Sequence, residues 1–177
     1  MIHFNANIKF ILFKYLFLIL VFSIVSCSIS YKFNGASIDY SKTKSISISD
    51  FQNTAELVYP PLSQNFGESL RDVYSKQTRL QVLKKSGDLH IEGEIVGYQL
   101  TPMAIGADSY AAETKLTMTI KVRFTNSKKP DDDFEKTYTS FQNFNSSRML
   151  NDVQAELTKI MINEIVDNIY NDTVAKW

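Results

Sequence analysis

The sequence predicts an α+β domain: two helices packed on one face of a four- to five-stranded, mostly antiparallel sheet. Three observations carry this. Lys115 to Phe124 alternates polar and apolar residues without a break, the period-2 pattern of a half-buried strand. Two other stretches, beginning at Leu62 and Leu150, carry apolar residues at helical spacing. The order of elements is strand, helix, three or four strands, helix, and one sheet with both helices on the same face accommodates it most economically.

Taken in order, Lys44 to Asp50 alternates strictly, so Ile46 and Ile48 share a strand face. Tyr59-Pro60-Pro61 breaks the chain, and proline suits the first turn of a helix. Leu62, Phe66, Leu70, Val73 and Tyr74 then form one apolar stripe, with Gly67 beside it. Leu80, Val82 and Leu83 suggest a second strand, and Lys85 to Asp88 a turn. The opening strand–helix–strand unit should be a right-handed crossover. Leu89 to Leu100 is a longer strand, with Leu89, Ile91, Gly93, Ile95 and Gly97 on one face. Two glycines there suggest close approach of a packed element, expected to be a helix.

A loop follows from Thr101 to Glu113. In the strand beyond it, Leu116, Met118, Ile120, Val122 and Phe124 point inward, while Lys115, Thr117, Thr119, Lys121 and Arg123 point out. Asn126 to Asp133 turns the chain into a last strand, Phe134 to Phe144. Asn145, Ser146 and Ser147 offer capping side chains. The final helix carries Leu150, Val153, Leu157, Ile160, Met161 and Ile165 on one face, widened by Ile162, Val166, Ile169 and Tyr170.

The first 27 residues read differently. Lys9 and Lys14 precede an apolar run from Tyr15 to Val25, and Ile24-Val25-Ser26-Cys27 closes it. A basic segment, a short apolar core and a small residue before the cut make a secretory signal. The run is too short to span a bilayer comfortably, which takes about 20 apolar residues. Cys27 is the only cysteine, so it forms no intramolecular disulfide. An ordinary signal with a chance cysteine and a free thiol are the plain alternatives. Its position resembles the lipobox of bacterial lipoproteins, in which that cysteine is acylated and becomes the first residue after cleavage. Residues 1–26 are then the signal, 27–43 a lipidated, serine-rich tether, and 44–177 the domain. Acyl chains anchor through their buried methylenes, at about 0.8 kcal/mol each.

Composition excludes several functions. Nineteen basic residues match nineteen acidic ones, and losing Lys9 and Lys14 with the signal leaves the remainder mildly acidic, so nucleic acid is not an expected partner. The sequence contains no nucleophile elbow, phosphate-cradling glycine loop or metal-ligand spacing, and no catalytic residue, metal site or cofactor beyond the lipid on Cys27 is expected. His90, Glu92 and Glu94 share one strand face and could bind a metal or move protons, but a half-covered sheet needs polar residues there in any case. Lys115, Lys121 and Arg123 could hold lipid phosphates, again against a solvated-face alternative. Met103, Ile105 and Tyr110 make the long loop unusually apolar, so it either docks on a partner or folds back over the core.

Read in series, the chain resembles the LptE family. The resemblance rests on the lipobox, Gly35-Ala36-Ser37-Ile38-Asp39, Ser47 to Asn53, Tyr59 to Phe66, Thr78-Arg79-Leu80, Gly87 to Pro102, Lys115 to Asn126 and the ending Ile169 to Trp177. It implies an outer-membrane lipoprotein that plugs and helps assemble a large β-barrel of the LptD type and assists lipopolysaccharide insertion into the outer leaflet. Some members contact the glycolipid through a basic residue in the mid-sheet loop. Here no Arg or Lys lies between Gln99 and Thr114, and Arg148 is the loose substitute. The alternative function is a barrel-independent glycolipid-binding or scaffold lipoprotein of the envelope.

Overall fold

The structure is a computed structural model, and it describes residues 38–103 and 113–175. Cys27, the signal, the tether as far as residue 37, Ile105 and Tyr110 lie outside those residues. Among the described residues no helix is long and apolar enough to cross a membrane.

The elements are β1 (Ser45–Ile48), β2 (Gln52–Asn53), α1 (Leu62–Gln77), β3 (Gln81–Leu83), β4 (Leu89–Pro102), β5 (Glu113–Asn126), a 3-10 turn (Pro130–Asp132), β6 (Phe134–Asn145) and α2 (Leu150–Thr173). The class is α+β as expected, but the sheet has six strands and is mixed. Its order is β3-β1-β4-β5-β6, with β2 pairing β4 beyond β1. β1 runs parallel to both β3 and β4, and β2 is parallel to β4. The long β4–β5 and β5–β6 ladders are antiparallel.

Ile46, Ile48, Ile91, Ile95, Leu116, Met118, Ile120 and Val122 are buried with Leu62, Phe66, Leu70 and Tyr74 of α1 and Met161, Ile165 and Ile169 of α2 in a single core. Burying each such side chain stabilises by about 1.5–3 kcal/mol. Three hydroxyl contacts index the layers. Tyr98 Oη meets Thr158 Oγ1 at 2.7 Å and accepts from Gln154 Nε2 at 3.1 Å. Tyr74 Oη bonds Thr173 Oγ1, tying α1 to the end of α2. Tyr138 Oη donates to Asp172 at 2.7 Å. Burial pushes the phenol of Tyr138 upward, and donation to the Asp172 carboxylate adds to it. Ile38, assigned to the tether by sequence, is buried in the same core.

Several local expectations need correction. Val96 is an extra residue at a β-bulge between Ile95 and Gly97. It reverses the facing, so Tyr98 turns inward and Gly97 sits opposite Thr119 on the outer side. The element crowding Gly93 is not a helix: a β-carbon there would lie 2.6 Å from the Phe51 ring and 2.1 Å from the Lys121 carbonyl oxygen. Asn145 does not cap α2. Its Oδ1 accepts from the Ser147 N–H in a local turn, and the helix starts at Leu150 without a side-chain cap. Ile160 points outward, and Thr158 takes its expected place in the core.

The largest correction concerns Lys85 to Asp88. The turn expected there is a crossing segment, because β1 lies between β3 and β4. Residues 84–88 carry the chain from the end of β3 over β1 to the start of β4. Gly87 crosses in contact with the β1 backbone: a β-carbon there would be 2.4 Å from the Ser47 nitrogen. Ser86 takes a positive φ of 60° to make the bend. The strap runs across the face opposite the helices, since the Gly87 N–H donates to Ser47 Oγ, on the reverse side from Ile46 and Ile48. A second crossover that reverses direction across the sheet keeps the right hand only by changing face.

Candidate functional site

The sheet has a base and a tip. β1, β3 and β4 start at the base, beside the β5–β6 turn, and the tether enters there, just before Ser45. Asp88 organises the base. Its Oδ2 accepts from the Lys44 N–H at 2.8 Å and the Ser45 N–H at 3.2 Å, and Lys128 Nζ lies 3.0 Å from Oδ1. Its backbone carbonyl accepts from Ser127 Oγ and N–H. The Lys44 amide, then Lys128, hold the Asp88 carboxyl down at about 2.

The outer face carries the sequence-predicted charges, and strand register brings most of them together. Glu92 opposes Arg123, which opposes Glu135; Glu94 opposes Lys121. Lys121 Nζ lies 2.7 Å from Glu135 Oε1, and Arg123 Nη1 lies 3.7 Å from Glu92 Oε1. The hydrogen bond that Lys121 donates to Glu135 lowers the Glu135 carboxyl and raises the Lys121 amine. These residues line a shallow cavity of about 340 Å³ with Asp50, four carboxylates around two cations. Lys121 and Arg123 are thus engaged across strands. No group of three metal-ligating side chains occurs among the described residues.

His90 has a partner that the period-2 reading did not find. Ser47 Oγ is 2.8 Å from His90 Nδ1, and Glu92 Oε2 is 3.4 Å from Nε2. A serine, a histidine and a carboxylate in that order superficially suit a nucleophile relay. Ser47, however, is 0% exposed under the strap, and its oxygen accepts from the Gly87 N–H. A substrate carbonyl has no approach to that hydroxyl, and the contact fastens the strap to β1 and β4. The outward alternation of Lys44 to Asp50 was the available signal.

At the tip the surface changes. Leu100 is 41% exposed, Met103 40%, Phe141 55% and Met149 75%. All lie at the far ends of β4 and β6 or just before α2, and Val58 is exposed beside Tyr59, which stacks on Tyr98 at 6.1 Å. The β4–β5 ladder extends to Pro102 and Thr114, and Met103 N–H closes it on the Glu113 carbonyl at 2.8 Å. Lys115 Nζ sits 5.6 Å from the Phe141 ring centre. Arg148 lies exposed in the turn after β6, which Ser146 ties to Thr114 at 2.9 Å. Of the four proposed glycolipid cations, the tip therefore gathers Lys115 and Arg148, and the charge-paired lower face holds Lys121 and Arg123.

The domain thus has one sheet face sealed by helices, the other largely polar, and one end apolar. The family model for lipopolysaccharide assembly, LptE, matches residues 43–173, and the chain belongs to that family. No curated protein matches it in sequence. Among solved structures it is similar to a putative neuraminyllactose-binding hemagglutinin homolog from Helicobacter pylori (9% identity, TM-score 0.52, 73% of this chain and 82% of that one). It is also similar to the hypothetical protein CT253 from Chlamydia trachomatis (10% identity, TM-score 0.50, 73% and 98%). The rare lipoprotein B of Shewanella oneidensis aligns at 11% identity and TM-score 0.44 over 73% and 90%. At these identities the first two likenesses show the fold alone.

Proposed function

We propose that this chain is a non-enzymatic outer-membrane lipoprotein, acylated at Cys27, that plugs and helps assemble an LptD-type β-barrel and assists lipopolysaccharide insertion. Membership of a lipopolysaccharide-assembly family supports the pathway. One observation carries the barrel reading: exposed apolar side chains collect at the tip, the end of the sheet opposite the tether. Such an apolar end suits docking on a partner through Leu100, Met103 and Phe141. Lys115 and Arg148 border that end and suit the phosphates of the glycolipid.

The test is affinity purification of the full chain through a C-terminal tag. A large β-barrel should copurify, and it should be lost when Leu100, Met103 and Phe141 are changed together to Ser. Recovery of the tagged protein alone from a strain that exports lipopolysaccharide normally would defeat the barrel reading. Cys27→Ser should abolish labelling by palmitate; persistent labelling would remove the anchor from it.

A further inference from the structure

Parallel strands β1 and β3 end side by side, and the chain leaves them by different routes. Ser49 and Asp50 follow β1 toward β2, while Lys84 and Lys85 follow β3 into the strap. Open sheets place ligands beyond the carboxyl ends of parallel strands, where connections diverge. A cleft of about 860 Å³ lies there. Ile48, Val82 and Leu83 line it with apolar surface, and Arg71, Lys84 and Lys85 bring three cations to it.

The charge there is not balanced as it is on the outer face. The only carboxylate lining the cleft is Asp50, which accepts a hydrogen bond from Arg71. Neither Lys84 nor Lys85 pairs with a carboxylate among the described residues. Gly67 leaves room for Arg71 to lie back along α1: a β-carbon there would sit 3.1 Å from Arg71 Nη1. The strap fixes the two lysines beside the cleft, because Gly87 and Ser47 hold it against β1.

We propose that this cleft binds a phosphate monoester carried on an apolar group, with Lys84 and Lys85 on the phosphate oxygens and the half-buried Val82 and Leu83 against the apolar part. Ammonium groups suit phosphate as point charges, and the uncompensated pair favours an anion over a cation or a neutral sugar. The site is separate from the tip and goes beyond the barrel reading, so either stands without the other.

The experiment uses the full chain in detergent, titrated by calorimetry with hexyl phosphate and with inorganic phosphate. Hexyl phosphate should bind more tightly than inorganic phosphate. Changing Lys84 and Lys85 together to Gln should weaken it about tenfold or more, as loss of charge-assisted hydrogen bonds does. Changing Lys159, an exposed cation of α2 outside the cleft lining, to Gln should leave it unaltered, and barrel copurification by the Lys84/Lys85 variant should persist. Equal affinity for the two phosphates, no binding, or undiminished binding by the Lys84/Lys85 variant overturns the proposal.

Discussion

The base and the tip of one sheet are built to opposite rules. At the base, Asp88 satisfies two backbone amides and a lysine, Ser127 caps its carbonyl, and the strap closes over Ser47. At the tip, Leu100, Met103, Phe141 and Met149 face solvent within the isolated chain. The same strands supply both ends, so composition of the strands is not the cause. For the inward face the helices are: α1 begins just past Tyr59 and α2 just past Met149, and side chains at and beyond those starts are no longer covered, while Phe141 stands opposite Thr117 on the outer face that no helix covers. The domain completes its polar contacts at the end where the chain enters β1 and leaves apolar area exposed at the other.

Substitutions at graded positions test that contrast. The largest effect should come from the middle, which both ends share. Ile120→Asp places a carboxylate in the fully buried layer between β4 and β6 and should cost roughly 4 kcal/mol. Lys121→Ala, one residue on, removes an exposed ion pair and should leave stability nearly unchanged. Similar urea midpoints for the two would overturn the facing of β5.

Next comes the base. Gly87→Val must displace the β1 backbone and should destabilise by about 3 kcal/mol; a near-native midpoint would mean the strap does not press on β1. Asp88→Asn should cost about 1–2 kcal/mol at neutral pH. The Asp88 carboxyl is depressed to about 2 in the folded chain, so its contribution is complete above the unfolded value of about 4 and fades as pH falls through 2. Unfolding of wild type and variant, followed from pH 7 to pH 2, should therefore converge in acid. A gap that stays constant would detach the charge from the effect.

The smallest stability change belongs to the tip. Replacing Phe141 and Met149 with Ser should shift stability by about 1 kcal/mol or less, since both are more than half exposed already. A drop in melting temperature as deep as that of Gly87→Val would place these side chains in the core and erase the distinction between the two ends.

Periodicity made much of this legible. The stripe from Leu62 to Tyr74 and the alternation from Lys115 to Phe124 gave α1 and β5 with their facing, because each is read from spacing within one segment. Pairing is not. Nothing in Gln81 to Leu83 tells that β1 slots between it and β4, and five residues between two apolar runs look like a hairpin. Gly87 marked the place without saying why a glycine was needed. Gly97 likewise signalled irregularity, but only the register showed that Val96 is the extra residue and that Tyr98 turns inward. At the site, His90, Glu92 and Glu94 were found on one face, while Ser47 and Arg123, their partners from other strands, needed the sheet order.

The strap has a mechanical meaning. Once Ile38 and Thr43 are stripped from the fold, a pull on Lys44 acts on a strand flanked on both sides and lashed across its outer face. Peeling would break one rung at a time from an edge strand; β1 is not at an edge. Tension along its axis must instead shear the β3 and β4 ladders together, and Gly87 and Ser47 have to part before either slides. Resistance to forced unfolding is set by the rate of that first rupture rather than by equilibrium stability. The domain is thus toughest along the axis of β1.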